Sequence, residues 1–278
     1  MFKPKMTLVS CNYYRPDLLR RAIQSVQKQT FQDYEYLIVS DHCPFTEHVY
    51  NDFKDDDRIK LLQVETPHVH NGGASSFNVG IQNAKSDHIS YLLDDDVLHE
   101  NHLEEHYNYM KKTGDKSLHS MWDCATITGD DNCTLNILSK SYEELLSMSG
   151  NKGHKLDVCA LSHIKDIGVD WLPRSITQSE YGEHEDNYFL ERIKPINFIP
   201  VTTVLKIAFA GFKRPNTNGN DQSYYNLLMG KLKKDKSTLS GWVLDSDTPY
   251  VYPELKDTLY NKPKLEKKPE ITKQWWEN

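Results

Sequence analysis

The sequence has few cysteines, and none are paired at a metal-binding spacing. Its five cysteines are an odd number, and no two of them form the C-x-x-C pair that is typical of thiolate zinc sites. A disulfide framework is characteristic of small, cysteine-dense secreted chains, so it is not indicated either. We therefore interpret the cysteines as reduced and mostly structural: Cys11, Cys43, Cys124, Cys133 and Cys159.

The sequence also lacks a long apolar run. The longest, at residues 199–212, is interrupted by Thr202, Thr203 and Lys206, whereas a membrane-spanning helix needs about 20 consecutive apolar residues. The first residues do not join a basic segment to an apolar one, as a signal peptide would. These absences predict a soluble, cytoplasmic protein without a transmembrane segment.

A positive net charge is missing as well. The chain has 33 basic and 40 acidic residues, giving a formal net charge of -7. It therefore has no global basic field that would attract nucleic acid or anionic lipid, and a nucleic-acid partner would need a local basic patch. With 278 residues, of which 38% are hydrophobic, the chain is long enough to bury one substantial core.

The N-terminal half alternates strand and helix signals. A short buried strand is predicted at residues 7–11, and Pro16 then begins a helix whose apolar residues recur with helical spacing. Further strands are predicted at residues 36–39, 59–64 and 88–93. This alternation predicts an α/β fold with a mostly parallel central sheet, helices on both faces and ligands at the carboxyl ends of the strands.

Beyond residue 98 the pattern loosens. A helix is predicted around residues 103–110, and strands at residues 157–161 and 196–207. We interpret these elements as the remainder of the same domain.

Three consecutive aspartates, Asp94, Asp95 and Asp96, end the fourth predicted strand. Carboxylates directly after a buried strand repel one another and resist burial, so they are tolerated mainly where a cation neutralises them. Oxygen ligands favour Mg²⁺ or Mn²⁺, and Mg²⁺ usually shares its coordination with substrate phosphates. The triplet indicates a divalent-metal site for a nucleotide diphosphate, although aspartate runs also occur in solvated loops.

Several motifs, taken in order, resemble glycosyltransferase family 2. The segments TLVSCNYYRPD and SVQKQTF, within residues 7–31, are similar to the family's opening VSIIIPTYNRPDLL…SVLNQTY. YLIVSD at residues 36–41 is similar to a strand ending in DDGS, and GASSFNVG at residues 73–80 to a G…ARNxG helix. LDDD at residues 93–96 matches LDxD, and GEHED at residues 182–186 resembles the downstream ED motif.

The resemblance implies a GT-A fold, a nucleoside-diphosphate sugar donor, expected to be a UDP-sugar, a Mn²⁺ or Mg²⁺ cofactor, and inversion at the anomeric carbon. It also implies a role for individual residues. Asp186 would be the general base that takes the acceptor's proton, and Glu185 is the neighbour most easily confused with it. Asp96, with Asp94, would ligate the metal. The donor-binding residues would be Asn12, Tyr14, Arg15, Asp41, Asn78, Asp94 and Asp95.

The resemblance also suggests how the chain is organised. Residues 1–230 would form the glycosyltransferase domain, with a nucleotide-binding half at residues 1–100 and an acceptor-binding half at residues 101–230. Residues 231–278, rich in lysine and proline, are predicted to be a peripheral arm.

The chain departs from the family pattern at several positions. The first aspartate of DDGS is Ser40, its glycine is His42, and the arginine of ARN is Phe77. Many relatives supply a histidine after the ED segment as a further metal ligand, but this chain has no histidine beyond His184. Water or another side chain must therefore complete the metal shell.

Histidines offer a competing site. His102 and His106 have the i, i+4 spacing of a helical metal pair, but they do not form HExxH, and a solvated helix face is favoured over a zinc site. His68 and His70 would either contact the donor phosphates or lie in a polar loop.

Three functional hypotheses remain open. The first is a transferase acting on a glycan, a lipid-linked sugar or a small molecule. The second is the same enzyme acting on a macromolecule such as modified DNA or protein, for which the lysine-rich arm is the hint. The third is a binding protein with a decayed transferase fold, against which the intact Asp94, Asp96 and Asp186 argue.

Overall fold

The computed structural model describes residues 3–12, 16–43, 45–65, 73–128, 133–134, 156–194, 196–210, 232–234 and 242–244. Tyr14 and Arg15 lie outside these residues, as do His68, His70 and most of the predicted C-terminal arm. The division into residues 1–230 and 231–278 stays a prediction.

One mixed sheet contains nine of the described strands. They are β1 (Met6–Asn12), β2 (Tyr34–Ser40), β3 (Ile59–Gln63), β4 (His88–Tyr91), β5 (Val97–Leu98), β6 (Ser117–Thr128), β7 (Cys133–Thr134), β8 (Leu161–Ile164) and β9 (Asn197–Ala210). A separate antiparallel pair joins β10 (Leu232–Lys234) to β11 (Trp242–Leu244).

The helices of the described residues are α1 (Pro16–Gln27), α2 (Thr46–Asn51), α3 (Ala74–Asn83), α4 (His102–Thr113) and α5 (Glu185–Arg192). A short helical turn, Arg174–Ile176, runs into a π-helical turn, Thr177–Tyr181, just before α5. Among these elements, none is both long enough and apolar enough to span a bilayer.

The sheet has a parallel half and a mixed half. Its strand order is β3-β2-β1-β4-β8-β6-β9-β5, with β7 paired to β6. The first four strands of this order are all parallel, as the alternating sequence pattern predicts. β8 runs antiparallel to both β4 and β6, whereas β9 runs parallel to β6. The α/β fold is confirmed, and its parallel half carries the aspartate triplet.

Burial explains why the predicted parallel strands form. Every residue of β2 is buried, and so are all but one residue of β1. Strands covered on both faces appear in a sequence as continuous apolar runs, which is why they could be located from the sequence. On one side α1 covers the sheet with an apolar face whose members are all nearly inaccessible to solvent: Leu18, Leu19, Ala22, Ile23 and Val26.

Gly80 allows α3 to approach β1 closely. A Cβ atom placed on Gly80 would lie 2.2 Å from Cγ1 of Val9, far inside van der Waals contact. The last glycine of the segment GASSFNVG is thus required by helix-to-strand packing, and α3 is held against the strand that ends at Asn12.

The interpretation of His102 and His106 as a solvated helix face is wrong. Both side chains are fully buried, because α4 turns them toward the sheet. His102 Nε2 is 2.9 Å from the Ser90 hydroxyl and Nδ1 is 2.8 Å from that of Thr203. His106 Nδ1 is 2.7 Å from the Ser162 hydroxyl. The hydroxyls satisfy the ring nitrogens, which makes burial tolerable.

These contacts also argue against zinc at this position, because the ring nitrogens that would have to bind the metal already pair with hydroxyl groups. Burial lowers the pKa of His102 to about 3 and that of His106 well below its ordinary value, so both rings are neutral at pH 7. Within the described residues, the side-chain group spaced to hold a metal ion lies elsewhere, at Asp96, Asp157 and Cys159.

The strand expected at residues 157–161 begins later. A 3₁₀ turn, Val158–Ala160, comes first, and β8 starts at Leu161. The Asp157 carboxylate caps this turn by accepting from the backbone N–H of Cys159 at 2.9 Å. An aspartate at a cap competes with strand geometry for the backbone, which moves the strand start toward the C-terminus.

Candidate functional site

Three of the expected site residues meet where parallel strands end. Asn12 is the last residue of β1, Asp41 follows β2, and Asp94 follows β4. The Asn12 amide donates to the Asp94 carboxylate at 2.9 Å, and the backbone N–H of Asp41 donates to the carbonyl of Asn12 at 3.3 Å. The sheet therefore brings Asn12, Asp41 and Asp94 together at one edge, as the strand-end argument predicts.

Asn12 is fixed in place before any ligand binds. Its side-chain oxygen accepts a hydrogen bond from the hydroxyl of Thr46, the first residue of α2. Both ends of the amide are thus engaged, one by Thr46 and one by Asp94, and only 2% of Asn12 is exposed. The amide orientation places a donor toward the carboxylate and holds Asp94 in one position.

Asp41 sits at a sharp change in chain direction. It is partly exposed, and His42, which follows it, has φ of 53°, in the left-handed region that favours glycine. Glycine stands at this position in the family motif that the segment resembles. The His42 ring compensates by contacting the Val64 carbonyl at 2.9 Å, which ties the turn to the end of β3.

The aspartate triplet is largely buried. Asp94 is 5% exposed and Asp96 is 2% exposed, while Asp95 is intermediate. The backbone turns back at once, since the N–H of Asp96 donates to the carbonyl of Leu93 at 3.2 Å. The solvated-loop alternative therefore does not hold for Asp94 and Asp96. Buried carboxylates need compensating charge or hydrogen bonds.

Compensation for Asp96 comes from three further side chains. We call the four residues together the Asp96 cluster: Asp96, Asp157, Cys159 and Lys206. The Cys159 thiol donates to the Asp96 carboxylate with an Sγ to Oδ2 distance of 3.2 Å. The Lys206 ammonium donates to the Asp157 carboxylate. One ligand atom from each of Asp96, Asp157 and Cys159 lies within 4.8 Å of the others.

Protonation in the cluster follows from burial and neighbouring charge. Burial, together with the charges of Asp96 and Asp157, raises the pKa of the Cys159 thiol well above its ordinary value, so it remains a donor. Burial alone would raise the pKa of Asp157, but Lys206 and the capping hydrogen bond lower it below its usual range. Burial would likewise lower the pKa of Lys206, yet Asp157 and Asp96 hold it higher. The cluster thus contains an ammonium ion beside carboxylates.

Sequence reasoning did not find Asp157, Cys159 and Lys206. Asp157 and Cys159 lie in one segment, Lys206 lies in another and Asp96 in a third, and their proximity arises only when β8 and β9 join the sheet. Lys206 left one signal, because it interrupts the longest apolar run of the sequence. A lysine in a buried strand requires a nearby anion.

Asn78 has a different environment from the other predicted donor ligands. Its amide donates to the carbonyl of Trp171 at 2.8 Å, and its oxygen accepts from the backbone N–H of Trp171 at 3.1 Å. This paired contact joins α3 to the segment that precedes α5. A role for Asn78 in donor binding stays a prediction.

The two acids of the ED motif differ in environment. Glu185 is buried and forms a bidentate pair with Arg174, with both N to O distances at 2.6 Å. Asp186 is exposed in the first turn of α5, and its carboxylate accepts from the adjacent backbone N–H of Asn187 at 2.9 Å. Of the two, Asp186 is the acid accessible to a substrate.

A chain of aromatic contacts fixes α5 relative to the aspartate triplet. Phe189 of α5 stacks on Trp171, with ring centroids 4.1 Å apart. The Trp171 indole donates to the hydroxyl of Tyr91 at 3.0 Å. Tyr91 is the last residue of β4 and stands three positions before Asp94. The helix that carries Asp186 is therefore anchored to the strand that carries the carboxylates.

Comparison with known families matches residues 7–136 to Glycosyl transferase family 2. Among curated proteins, the poly(ribitol-phosphate) beta-N-acetylglucosaminyltransferase TarP of Staphylococcus aureus is 33% identical over 115 residues, covering 39% of this chain and 33% of the relative. A Campylobacter jejuni GalNAc(5)-diNAcBac-PP-undecaprenol beta-1,3-glucosyltransferase is 29% identical over 143 residues, covering 51% and 44%. Protein CgeD of Bacillus subtilis is 24% identical over 235 residues, covering 78% and 52%.

Solved structures support the same fold. TarS residues 1–349 of S. aureus in complex with UDP-GlcNAc match with a TM-score of 0.57 at 14% identity, covering 75% of this chain and 60% of that one. This likeness shows a GT-A-like fold. The chain spans a third to about three-fifths of the length of the relatives and structures named here.

Proposed function

We propose that the protein is a glycosyltransferase of family 2, whose model matches residues 7–136, and that it is a metal-dependent, inverting enzyme using a UDP-sugar donor and an acceptor hydroxyl. The observation that carries the proposal is the Asn12–Asp94 hydrogen bond at 2.9 Å beside the buried Asp96, at the carboxyl ends of parallel strands. In open α/β sheets, this edge is where nucleotides bind.

The donor side uses groups that are already oriented. Asp94, held by Asn12, would accept hydrogen bonds from the ribose hydroxyls, and Asp41 would contact the base. Asp95, partly exposed beside them, would line the same pocket. UDP-GlcNAc is the expected donor because the TarS structure with which this fold matches was solved in complex with it.

The Asp96 cluster fits a divalent cation. Asp96 and Asp157 supply carboxylate oxygens within a few ångströms of each other, the hard ligands that Mg²⁺ and Mn²⁺ prefer, and the neutral Cys159 thiol supplies a hydrogen bond. Asp94, which lies in the same turn as Asp96, would supply a further carboxylate oxygen to the cation. When bound, such a cation neutralises negative charge on the leaving diphosphate.

On the acceptor side, Asp186 would act as general base. Its exposed carboxylate would take the proton of the acceptor hydroxyl as that oxygen attacks the anomeric carbon, a role that Glu185 cannot share while Arg174 holds it. The acceptor is proposed to be a glycan or polyol-phosphate polymer, since the relative TarP is named for a poly(ribitol-phosphate) acceptor. The enzyme would act in the cytoplasm, because nucleotide sugars are made there.

A thermal-shift screen tests this function. We expect UDP-GlcNAc with Mn²⁺ at 100 times the dissociation constant to stabilise the protein by about 2.7 kcal/mol. For a chain of this size, that raises Tm by roughly 5 °C. Other nucleotide diphosphate sugars, tested in parallel, identify the donor. A screen in which no nucleotide sugar raises Tm, with or without Mn²⁺, would reject the transferase assignment.

A further inference from the structure

The Asp96 cluster contains a cation that belongs to the protein itself. Lys206 lies on β9, and its ammonium pairs with Asp157. The lysine side chain is 36% exposed, whereas that of Asp157 is only 3% exposed. A buried carboxylate therefore meets a lysine that reaches it from the rim of the site.

Hydrogen bonds connect Lys206 to the residue expected to bind metal. The Asp157 carboxylate accepts from Lys206 on one oxygen and from the backbone N–H of Cys159 on the other. The thiol of Cys159 then donates to Asp96. Each oxygen of Asp157 has a partner, and removal of the lysine would take away an ammonium that offsets the charges of Asp157 and Asp96.

The ammonium and a divalent cation would perform the same electrostatic task at the same place. Two carboxylates within a few ångströms repel each other, and either cation can offset that repulsion. A divalent ion coordinated by Asp96 and Asp157 would lie against the Lys206 ammonium, and like charges at that separation repel. The two cations therefore exclude each other.

We propose that Lys206 is a built-in counter-ion of the Asp96 cluster, which a divalent cation coordinated by Asp96 and Asp157 displaces when it binds. Asp157 thereby becomes a second carboxylate ligand beside Asp96, in a chain without the downstream histidine. This inference rests on the proposed function only in placing the metal at Asp96. Its consequence is that Lys206 weakens metal binding and stabilises the metal-free protein.

The chain offers a closely matched control for a lysine variant. Lys60 pairs with Glu35 at 3.7 Å, and the side-chain exposures of 39% and 3% nearly equal those of Lys206 and Asp157. Lys60 lies on β3, and Glu35 is the second residue of β2, at the opposite end of that strand from Asp41. Lys60→Met therefore removes an equivalent lysine from a buried carboxylate away from the Asp96 cluster.

The test is a Mn²⁺ titration followed by electron paramagnetic resonance of the free ion, with the full chain and no donor. We expect Lys206→Met to bind Mn²⁺ at least tenfold more tightly than the unaltered protein, Lys60→Met to bind it equally, and Asp157→Asn to bind it more weakly. In EDTA, Lys206→Met should have a lower Tm than the unaltered protein, and Mn²⁺ should raise its Tm by more.

Equal or weaker Mn²⁺ binding by Lys206→Met overturns the proposal. If that variant does not fold, Lys206→Gln keeps a polar partner for Asp157 without the charge, and unchanged Mn²⁺ affinity in it overturns the proposal equally. Absence of Mn²⁺ binding in every variant, with UDP-GlcNAc still raising Tm, rejects the counter-ion exchange and leaves the transferase intact. The expected Mn²⁺ pattern without any nucleotide-sugar binding rejects the transferase instead.

Discussion

Two groups of buried polar side chains lie against the same sheet, and they are compensated in opposite ways. Under α4, His102 and His106 are neutral, and hydroxyl groups satisfy their ring nitrogens. At the end of β4, Asp96 and its neighbour Asp157 face an ammonium ion. A neutral, fully hydrogen-bonded group needs no ligand, whereas paired carboxylates retain a charge that a ligand can use. The buried histidines therefore have a structural role, whereas the Asp96 cluster is suited to bind a ligand.

The largest effect should follow from removing charge at the carboxylate group. Asp96→Asn should lower kcat by about a thousandfold or more, since several kcal/mol of transition-state stabilisation depend on the cation that it holds. The folded state should persist, because an amide relieves repulsion with Asp157. Turnover measured as UDP release checks this, with the exposed Asp87→Asn as control. Normal turnover in Asp96→Asn would move the metal role to another residue.

Asp186 is an exposed carboxylate, in contrast to the buried Asp96. Asp186→Asn should lower kcat by roughly a hundredfold, because the acceptor proton loses its base. The Tm increase caused by UDP-GlcNAc should not change, since the donor binds elsewhere. Glu185→Gln is the matched variant, and it should lower Tm by breaking the bidentate pair with Arg174. A kcat that falls only in Glu185→Gln would exchange the two roles.

Lowering the pH should reduce the stability of the protein, because its buried histidines are neutral in the folded state. Burial lowers the folded-state pKa of His102 to about 3 and those of His119 and His163 to about 4, against about 6.5 in an unfolded chain. The stability that these neutral rings contribute is complete above pH 6.5 and is lost as the pH falls toward 4, because the unfolded chain takes up protons that the folded chain excludes.

Each such histidine should reduce the free energy of unfolding by about 1.4 kcal/mol per pH unit within that window. Urea unfolding at pH 7.5, 6.0 and 5.0 measures the slope. A free energy of unfolding that stays constant over this range would show that the rings take up protons in the folded protein.

His102→Gln should have the smallest effect, confined to stability. The variant leaves the hydroxyls of Ser90 and Thr203 imperfectly paired and should cost about 1–3 kcal/mol of unfolding free energy. The variant should also take up one proton fewer on unfolding in acid, which makes the free energy of unfolding depend less on pH. Its Mn²⁺ affinity should stay constant. A changed Mn²⁺ affinity would show that His102 and the Asp96 cluster are coupled.

The parallel half of the fold could be predicted from sequence because local signals specify it. β1 and β2 are buried along nearly their whole length, so they appear as apolar runs, and the polar residues that follow them mark the ligand edge. The resemblance to glycosyltransferase family 2 named Asn12, Asp41 and Asp94 as donor-binding residues, and the structure brings these three residues together.

The remainder depends on residues that are distant in sequence. His102 was expected to face solvent because its partners, Ser90 and Thr203, lie on strands that the helix pattern cannot identify. Likewise, nothing local in the segments around Cys159 and Lys206 indicates that both adjoin Asp96. Apolar periodicity locates a helix or strand, but it does not show that a histidine belongs to the buried face, because the partner of a buried polar group is set by topology.

Isothermal titration of UDP into the protein, with and without Mn²⁺, tests most directly whether the carboxylates after β4 join a cation to a nucleotide diphosphate. The account predicts that Mn²⁺ strengthens UDP binding at least tenfold in the unaltered protein and has no effect in Asp96→Asn. Equal UDP affinity with and without Mn²⁺ in the unaltered protein would contradict it.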